Sequence, residues 1–149
     1  MVEFLEITVD KFTFKVATDR LYSDEGVWAK TEGELVRIGL SDFVQQRSGD
    51  VAFAEVKPVG TQVTYGDEIA AIETMKVNIS LASPITGEIV EVNPGMAAAP
   101  ESINQDPFKA GWLAIVKPAD WQADKSRLLE PQAYLAKMKL EAENEVKKP

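Results

Sequence analysis

The chain has 149 residues, 45% of them apolar, which is enough for one compact core and short for two. It contains no Cys and no His, so its own side chains cannot build disulfides, thiolate nucleophiles, imidazole bases or the usual transition-metal sites, and redox or group-transfer chemistry has to arrive on a cofactor. With 24 acidic against 16 basic residues the formal net charge is −8, which repels phosphate backbones and argues against a nucleic-acid partner.

In chain order, residues 4–16 alternate through Leu5, Ile7 and Val9, then Phe12, Phe14 and Val16, with Asp10 and Lys11 between the two runs, and read as a β-hairpin. Glu3 and Glu6 stand where a secretory signal needs a basic start and an apolar block. No run approaches the roughly 18 apolar residues of a membrane span, so a soluble cytoplasmic protein without a membrane partner is expected. A second strand pair is read in 26–30 and 34–40, with Thr31, Glu32 and Gly33 as the turn. In 42–49, Asp42 is the N-cap candidate, Gln45 stands at the capping-box position and Gly49 ends a short helix.

From Val51 onward short runs at 51–56, 62–64, 68–74, 77–82, 87–92 and 112–117 alternate with turns, the pattern of a small all-β sandwich or barrel. Asn93, Pro94 and Gly95 read as a turn, and 96–100 as a loop of small residues. Pro131 suits the first turn of a helix on which Leu135, Met138, Ala142 and Val146 recur at helical spacing. Lys147, Lys148 and Pro149 are expected to fray.

One site stands out by position. Glu73-Thr74-Met75-Lys76-Val77-Asn78 joins the strand-like runs 69–72 and 79–81, which puts Lys76 at or near the tip of a tight hairpin. A residue that is modified by a ligase and then visits distant active sites needs a protruding, well-held turn and a long flexible stem, and a hairpin lysine supplies both. A turn lysine is far more often a plain solvated charge. Here, however, turns and strands flank it on both sides: Val59-Gly60 and Tyr65-Gly66-Asp67-Glu68 upstream, and 83–90 downstream.

From Tyr22 to about Tyr134 the chain resembles the H protein of the glycine cleavage system, a relative of lipoyl and biotinyl carrier domains. The matching runs, in order, are Gly39-Leu40-Ser41-Asp42-Phe43, Gly49-Asp50-Val51-Ala52-Phe53, Glu73-Thr74-Met75-Lys76, residues 83–93, Ile103-Asn104-Gln105-Asp106-Pro107 and residues 111–118. The resemblance implies a mainly β fold, a flattened β-barrel of two small antiparallel sheets with flanking helices, to which the residue pattern adds the N-terminal hairpin, the short internal helix and the C-terminal helix. The chain then divides into an N-terminal β extension over 1–21, a lipoyl carrier domain over 22–123, and a C-terminal helix and tail over 124–149. The resemblance also implies lipoic acid in amide linkage to Lys76, with Glu73 as a recognition element for the lipoylating enzyme, although Glu73 also fits a solvated hairpin charge. A monomeric, non-catalytic carrier without metal is expected.

Two departures bear on what the arm carries. Where the family usually has His-Glu-Trp, this chain has Gly26-Val27-Trp28, and where the family has Asp four residues after the lipoyl lysine, this chain has Ser80. In the family the Glu and Asp help to hold an aminomethyl group, an ammonium at neutral pH that is expensive to take out of water without anions nearby. Glu25 could substitute for the missing Glu. The sharper reading is that the cargo is sulfur, as in the H-like lipoate-binding proteins of heterodisulfide-reductase-like sulfur oxidation, with that complex as partner. The alternative is a true glycine cleavage H protein serving glycine decarboxylase, aminomethyltransferase and dihydrolipoyl dehydrogenase. A biotinyl carrier fits less well, because Met75 matches a biotin motif and Val77 does not; an unmodified interaction module is the remaining class. Trp28, Phe43, Phe53 and Trp112 are candidates to line an arm-binding cleft, though core packing is the commoner role for such aromatics. The purified chain is expected to show no turnover of its own; catalysis with all partner enzymes excluded would overturn this.

Overall fold

A computed structural model describes residues 3–147. The expected fraying of Lys148 and Pro149 lies outside the described residues, as does the side chain of Lys147, whose backbone ends the last helix. The chain opens with β1 (Phe4–Val9) and β2 (Phe12–Ala17), then β3 (Leu21–Tyr22), β4 (Val27–Glu32), β5 (Leu35–Leu40) and helix α1 (Asp42–Ser48). Next come β6 (Val51–Val56), β7 (Gln62–Val63), β8 (Glu68–Thr74), β9 (Asn78–Ala82) and β10 (Gly87–Val92). Two single-turn helices, α2 (Gly95–Ala98) and α3 (Ser102–Gln105), precede β11 (Ala114–Pro118), and α4 (Trp121–Lys125) and α5 (Pro131–Lys147) close the chain.

The strands form a six-stranded sheet in the order β3-β4-β5-β11-β10-β7, a three-stranded sheet β6-β8-β9, and the separate hairpin β1-β2. The two larger sheets enclose one core, in which Trp28, Ile38, Ile69, Ile72, Ile85, Ile89 and Leu113 are buried. This is the flattened barrel that the resemblance implies. In the hairpin the register Leu5↔Val16, Ile7↔Phe14 and Val9↔Phe12 collects the apolar residues on one face, and β1 and β2 pack against α5 near Ala142 and Val146. The alternation read in the sequence is the cause of this two-faced hairpin. Phe14 also meets Phe43 of α1 edge-on, with ring centroids 5.3 Å apart.

Four local expectations are corrected. Ser41, not Asp42, caps α1: its hydroxyl accepts from the backbone N–H of Val44 at 3.3 Å, so Gln45 lies one position past the capping-box site. Asp42 instead accepts the backbone N–H of Lys15 in β2 at 2.9 Å and the side-chain amide of Gln45 at 2.7 Å. The β4–β5 turn is Gly33-Glu34, since Glu32 pairs with Leu35 and Gly33 supplies the positive φ of 65°. The expected loop after Pro94 contains α2, with Met96 buried beneath it, and the last barrel strand starts at Ala114, leaving Trp112 outside it.

Trp28 fixes the middle of the β4–β5 pair. Its indole lies over Gly39, its register partner, and donates to the carbonyls of Leu40 and Pro107, each at 3.1 Å. A Cβ on Gly39 would fall inside the indole's van der Waals contact distance. Gly39→Ala is therefore expected to destabilise the fold by about 1–3 kcal/mol, the usual cost of overpacking, as a lower denaturant midpoint at unchanged m.

Candidate functional site

Lys76 stands where the sequence places it, in the turn between β8 and β9, with an exposed side chain. Thr74 holds the turn shut from beneath. Its hydroxyl oxygen accepts the backbone N–H groups of Lys76 (3.1 Å) and Val77 (3.0 Å), while the hydroxyl donates to the carbonyl of Ser48 at the end of α1 (2.8 Å). This satisfies two turn donors and ties the tip to a helix. Thr74 itself is buried, whereas Met75 next to it is 87% exposed.

Gly49 follows α1 with φ +92°, a conformation that suits glycine. A Cβ built there would stand 3.5 Å from Cδ of Lys76, so the lysine stem runs over this glycine. Asn104 of α3 clamps the same place: its amide donates to the Gly49 carbonyl and to the Gln45 side chain, both at 3.0 Å, and its oxygen accepts the N–H of Val51 at 2.8 Å. Among the described residues no carboxylate forms an ion pair with Lys76. An exposed primary amine on a braced stem fits an amide-linked acyl arm.

A cleft of about 250 Å³ begins three residues beyond Lys76, at Ile79. Its apolar wall is Val44, Ile79, Leu81 and Tyr134, and Asp24, Glu25 and Glu141 bring carboxylates to it, with Arg47 and Lys137 among them. Burial pushes the Tyr134 phenol up to about 12, and its hydroxyl shares a 2.7 Å hydrogen bond with Ser41, joining α5 to the cap of α1. The cleft is thus walled by α1, α5 and β9.

The two departures from the family pattern now have a physical account. Val27 is fully buried and faces the core, so the acids at that end of the cleft come from the preceding loop, as Asp24 and Glu25. Ser80 donates to the carboxylate of Glu68 at 2.6 Å. That hydrogen bond, followed by the ammonium of Lys57 at 3.4 Å, holds the Glu68 carboxyl below the usual carboxylate range. Glu68 stands on the outer face of the sheet and does not line the cleft, so position 80 brings no carboxylate to it. The expectation that the cleft lacks carboxylates is corrected by Asp24, Glu25 and Glu141 instead.

None of the four aromatic candidates lines the cleft. Trp28 and Phe43 are core residues. Trp112 stacks with Arg37 at 4.5 Å in a different groove, and Phe53 is 53% exposed on the outer face of the lysine's own sheet. Glu73 is exposed, paired in register with Asn78 and Phe53.

Barrel, protruding lysine turn and adjacent cleft together have the plan of a carrier domain. The family model for glycine cleavage H-protein matches residues 20–141. The chain is 37% identical over 127 residues to a glycine cleavage system H protein of Thermus thermophilus, covering 85% of this chain and 98% of that protein. It is 36% identical over 122 residues to one from an Anaeromyxobacter species, covering 82% and 94%. The crystal structure of a glycine cleavage system H protein from Mycobacterium marinum superposes with a TM-score of 0.73 at 29% identity, covering 82% of this chain and 98% of that one. The chain belongs to the glycine cleavage H-protein family, whose members are non-catalytic carriers with lipoic acid attached covalently to a lysine. Among the described residues no helix is long and apolar enough to cross a membrane.

Thr74→Val keeps the shape of the side chain and removes the hydroxyl. It is expected to cost about 1–3 kcal/mol by leaving the turn's N–H groups without their acceptor, and to expose the 75–77 segment to limited proteolysis at unchanged secondary structure.

Proposed function

We propose that Lys76 is the lipoyl attachment site and that the arm serves glycine cleavage, moving an aminomethyl group from glycine decarboxylase to aminomethyltransferase. The observation that carries this reading is the exposed lysine turn standing beside a cleft lined by three acids, Asp24, Glu25 and Glu141. Lipoic acid, when bound, supplies the dithiolane sulfur chemistry that the encoded side chains lack. The chain's own residues do the rest. Thr74, Gly49 and Asn104 fix the root of the arm, Val44, Ile79, Leu81 and Tyr134 offer it an apolar wall, and Asp24, Glu25 and Glu141 offer anions to a cationic cargo. Tethering raises the effective concentration of the cargo at each partner's active site. Glu73 is proposed as a recognition acid for the lipoylating enzyme, on the strength of its exposure three residues before Lys76.

The sulfur-carrying reading, with a heterodisulfide-reductase-like partner, rested on a cleft empty of carboxylates. With Asp24, Glu25 and Glu141 lining the cleft it has no such support, and the names of the relatives favour the glycine system.

Intact mass after expression in lipoate-replete cells should show one lipoyl adduct, peptide mapping should place it on Lys76, and Lys76→Arg should fold normally and lack it. Lipoate on Lys57 or Lys109 would sink the assignment. In a glycine cleavage assay reconstituted with the other three components, the paired change Asp24→Asn with Glu25→Gln should lower the rate about threefold. This modest figure reflects the exposure of both acids to solvent screening. An unmutated protein unable to support the assay would refute the proposed cargo.

A further inference from the structure

The cleft described above lies on one flank of the lysine turn; the other flank carries a second feature. On the outer face of β6-β8-β9 a shallow groove of about 380 Å³ runs between Phe53 and Ser80, with Ala71 of the central strand as its floor. It exists because Ala71 is small between larger neighbours, and because two β-bulges disturb the alternation of the strands. The bulge between Val51 and Phe53 lies beside Phe53, and the one between Glu68 and Ala70 puts Glu68 on the same face as Ala71, which a regular strand would not. Ile79 lines one side of the groove. Acids stand along it: Glu73 and Glu55 are exposed, and Glu68 closes one end through its bond to Ser80. At the turn itself Met75 is 87% and Val77 45% exposed. Exposed apolar side chains thus stand both at the turn, as Met75 and Val77, and on the sheet beside it, as Phe53, whose register partner is Glu73.

We propose that this face is the docking surface for the enzyme that acylates Lys76, and that the enzyme meets it with an apolar side chain over Ala71 inside a rim of basic residues. The proposal rests on the reading of Lys76 as the lipoyl site. For acylation the lysine amine itself must enter the enzyme's active site, and its stem is only four carbons long, so the enzyme has to touch the sheet beside the turn. Specific interfaces bury about 800 Å² per partner, more than a turn of three residues can supply, so one flank must be covered too. The cleft flank presents Arg47 and Lys137 among its acids, a mixed-charge surface. The outer groove is lined by apolar area and the acids Glu68 and Glu73, with no base in its lining among the described residues, and Lys57 nearby is ion-paired to Glu68. That combination fits a basic-rimmed, apolar-centred partner.

The test uses the full-length unlipoylated protein with lipoate, ATP and a purified lipoate–protein ligase. Phe53→Ser removes one wall of the groove, and Ala71→Gln fills its floor; each should raise KM for the protein about tenfold with kcat within a factor of two. Leu140→Ser, equally apolar and 62% exposed on α5, should change neither. In the unmutated complex, hydroxyl-radical footprinting should show both Phe53 and Met75 protected, a measurement that needs no variant to fold. Acylation of Lys76 with wild-type KM in both groove variants, or protection of Met75 with Phe53 still reactive, would overturn the docking proposal alone. No acylation of the unmutated protein at Lys76 would overturn the carrier assignment, and the docking proposal with it.

Discussion

The hydroxyl of Thr74 is the point on which the geometry around Lys76 turns. A lysine that must reach into other proteins has to project from the barrel, yet a projecting turn exposes backbone donors that would otherwise be satisfied only by water and would leave the tip loose. Thr74 removes this conflict by accepting two of those donors from beneath and donating its hydroxyl hydrogen bond to the carbonyl of Ser48. The turn is thereby anchored to the end of α1, and α1 is held in turn by Asn104 at Gly49 and by Asp42 at β2. Motion is left to the side chain while the backbone that bears it stays fixed.

Local periodicity and turn chemistry were enough to locate the hairpin of residues 4–17, the strands around the barrel and the lysine turn, because each depends on neighbours close in sequence. What escaped depends on register. Reading β8 with a strict period of two puts Glu68 and Ala71 on opposite faces; the bulge after Glu68 reverses that and brings Glu68 to Ser80 on the outer face of the sheet. No local pattern announces a bulge there. Ser41 and Asp42 are both good capping residues, and the choice between them is made by Tyr134 and Lys15, which lie far away in sequence. The single-turn helices α2 and α3 are too short to carry a periodic signal, so Asn104, the clamp on Gly49, could not be singled out.

Buried aromatics mark the same boundary between local and distant information. Trp28 and Phe43 are large and apolar, which says that they are buried but not against what. Trp28 closes over Gly39 and carries the guanidinium of buried Arg20 at 4.5 Å, while Phe43 bridges the hairpin's Phe14 and the guanidinium of Arg47 at 4.9 Å. Both serve the frame that sets where the cleft walls stand, and neither touches the cleft.

The hairpin β1–β2 lies outside the segment matched by the family model, and its apolar face is covered by α5, at the opposite end of the chain. During synthesis the hairpin leaves the ribosome well before α5; Phe14 gains Phe43 once α1 is made, but Leu5, Ile7 and Val9 wait for the stretch around Met138 and Ala142. A two-stranded ribbon with one greasy face is only marginally stable alone and is an invitation to pair with other nascent chains. The outer face, where Glu6 stands opposite Lys15 and Thr8 opposite Thr13, keeps at least one side of that ribbon soluble while it waits.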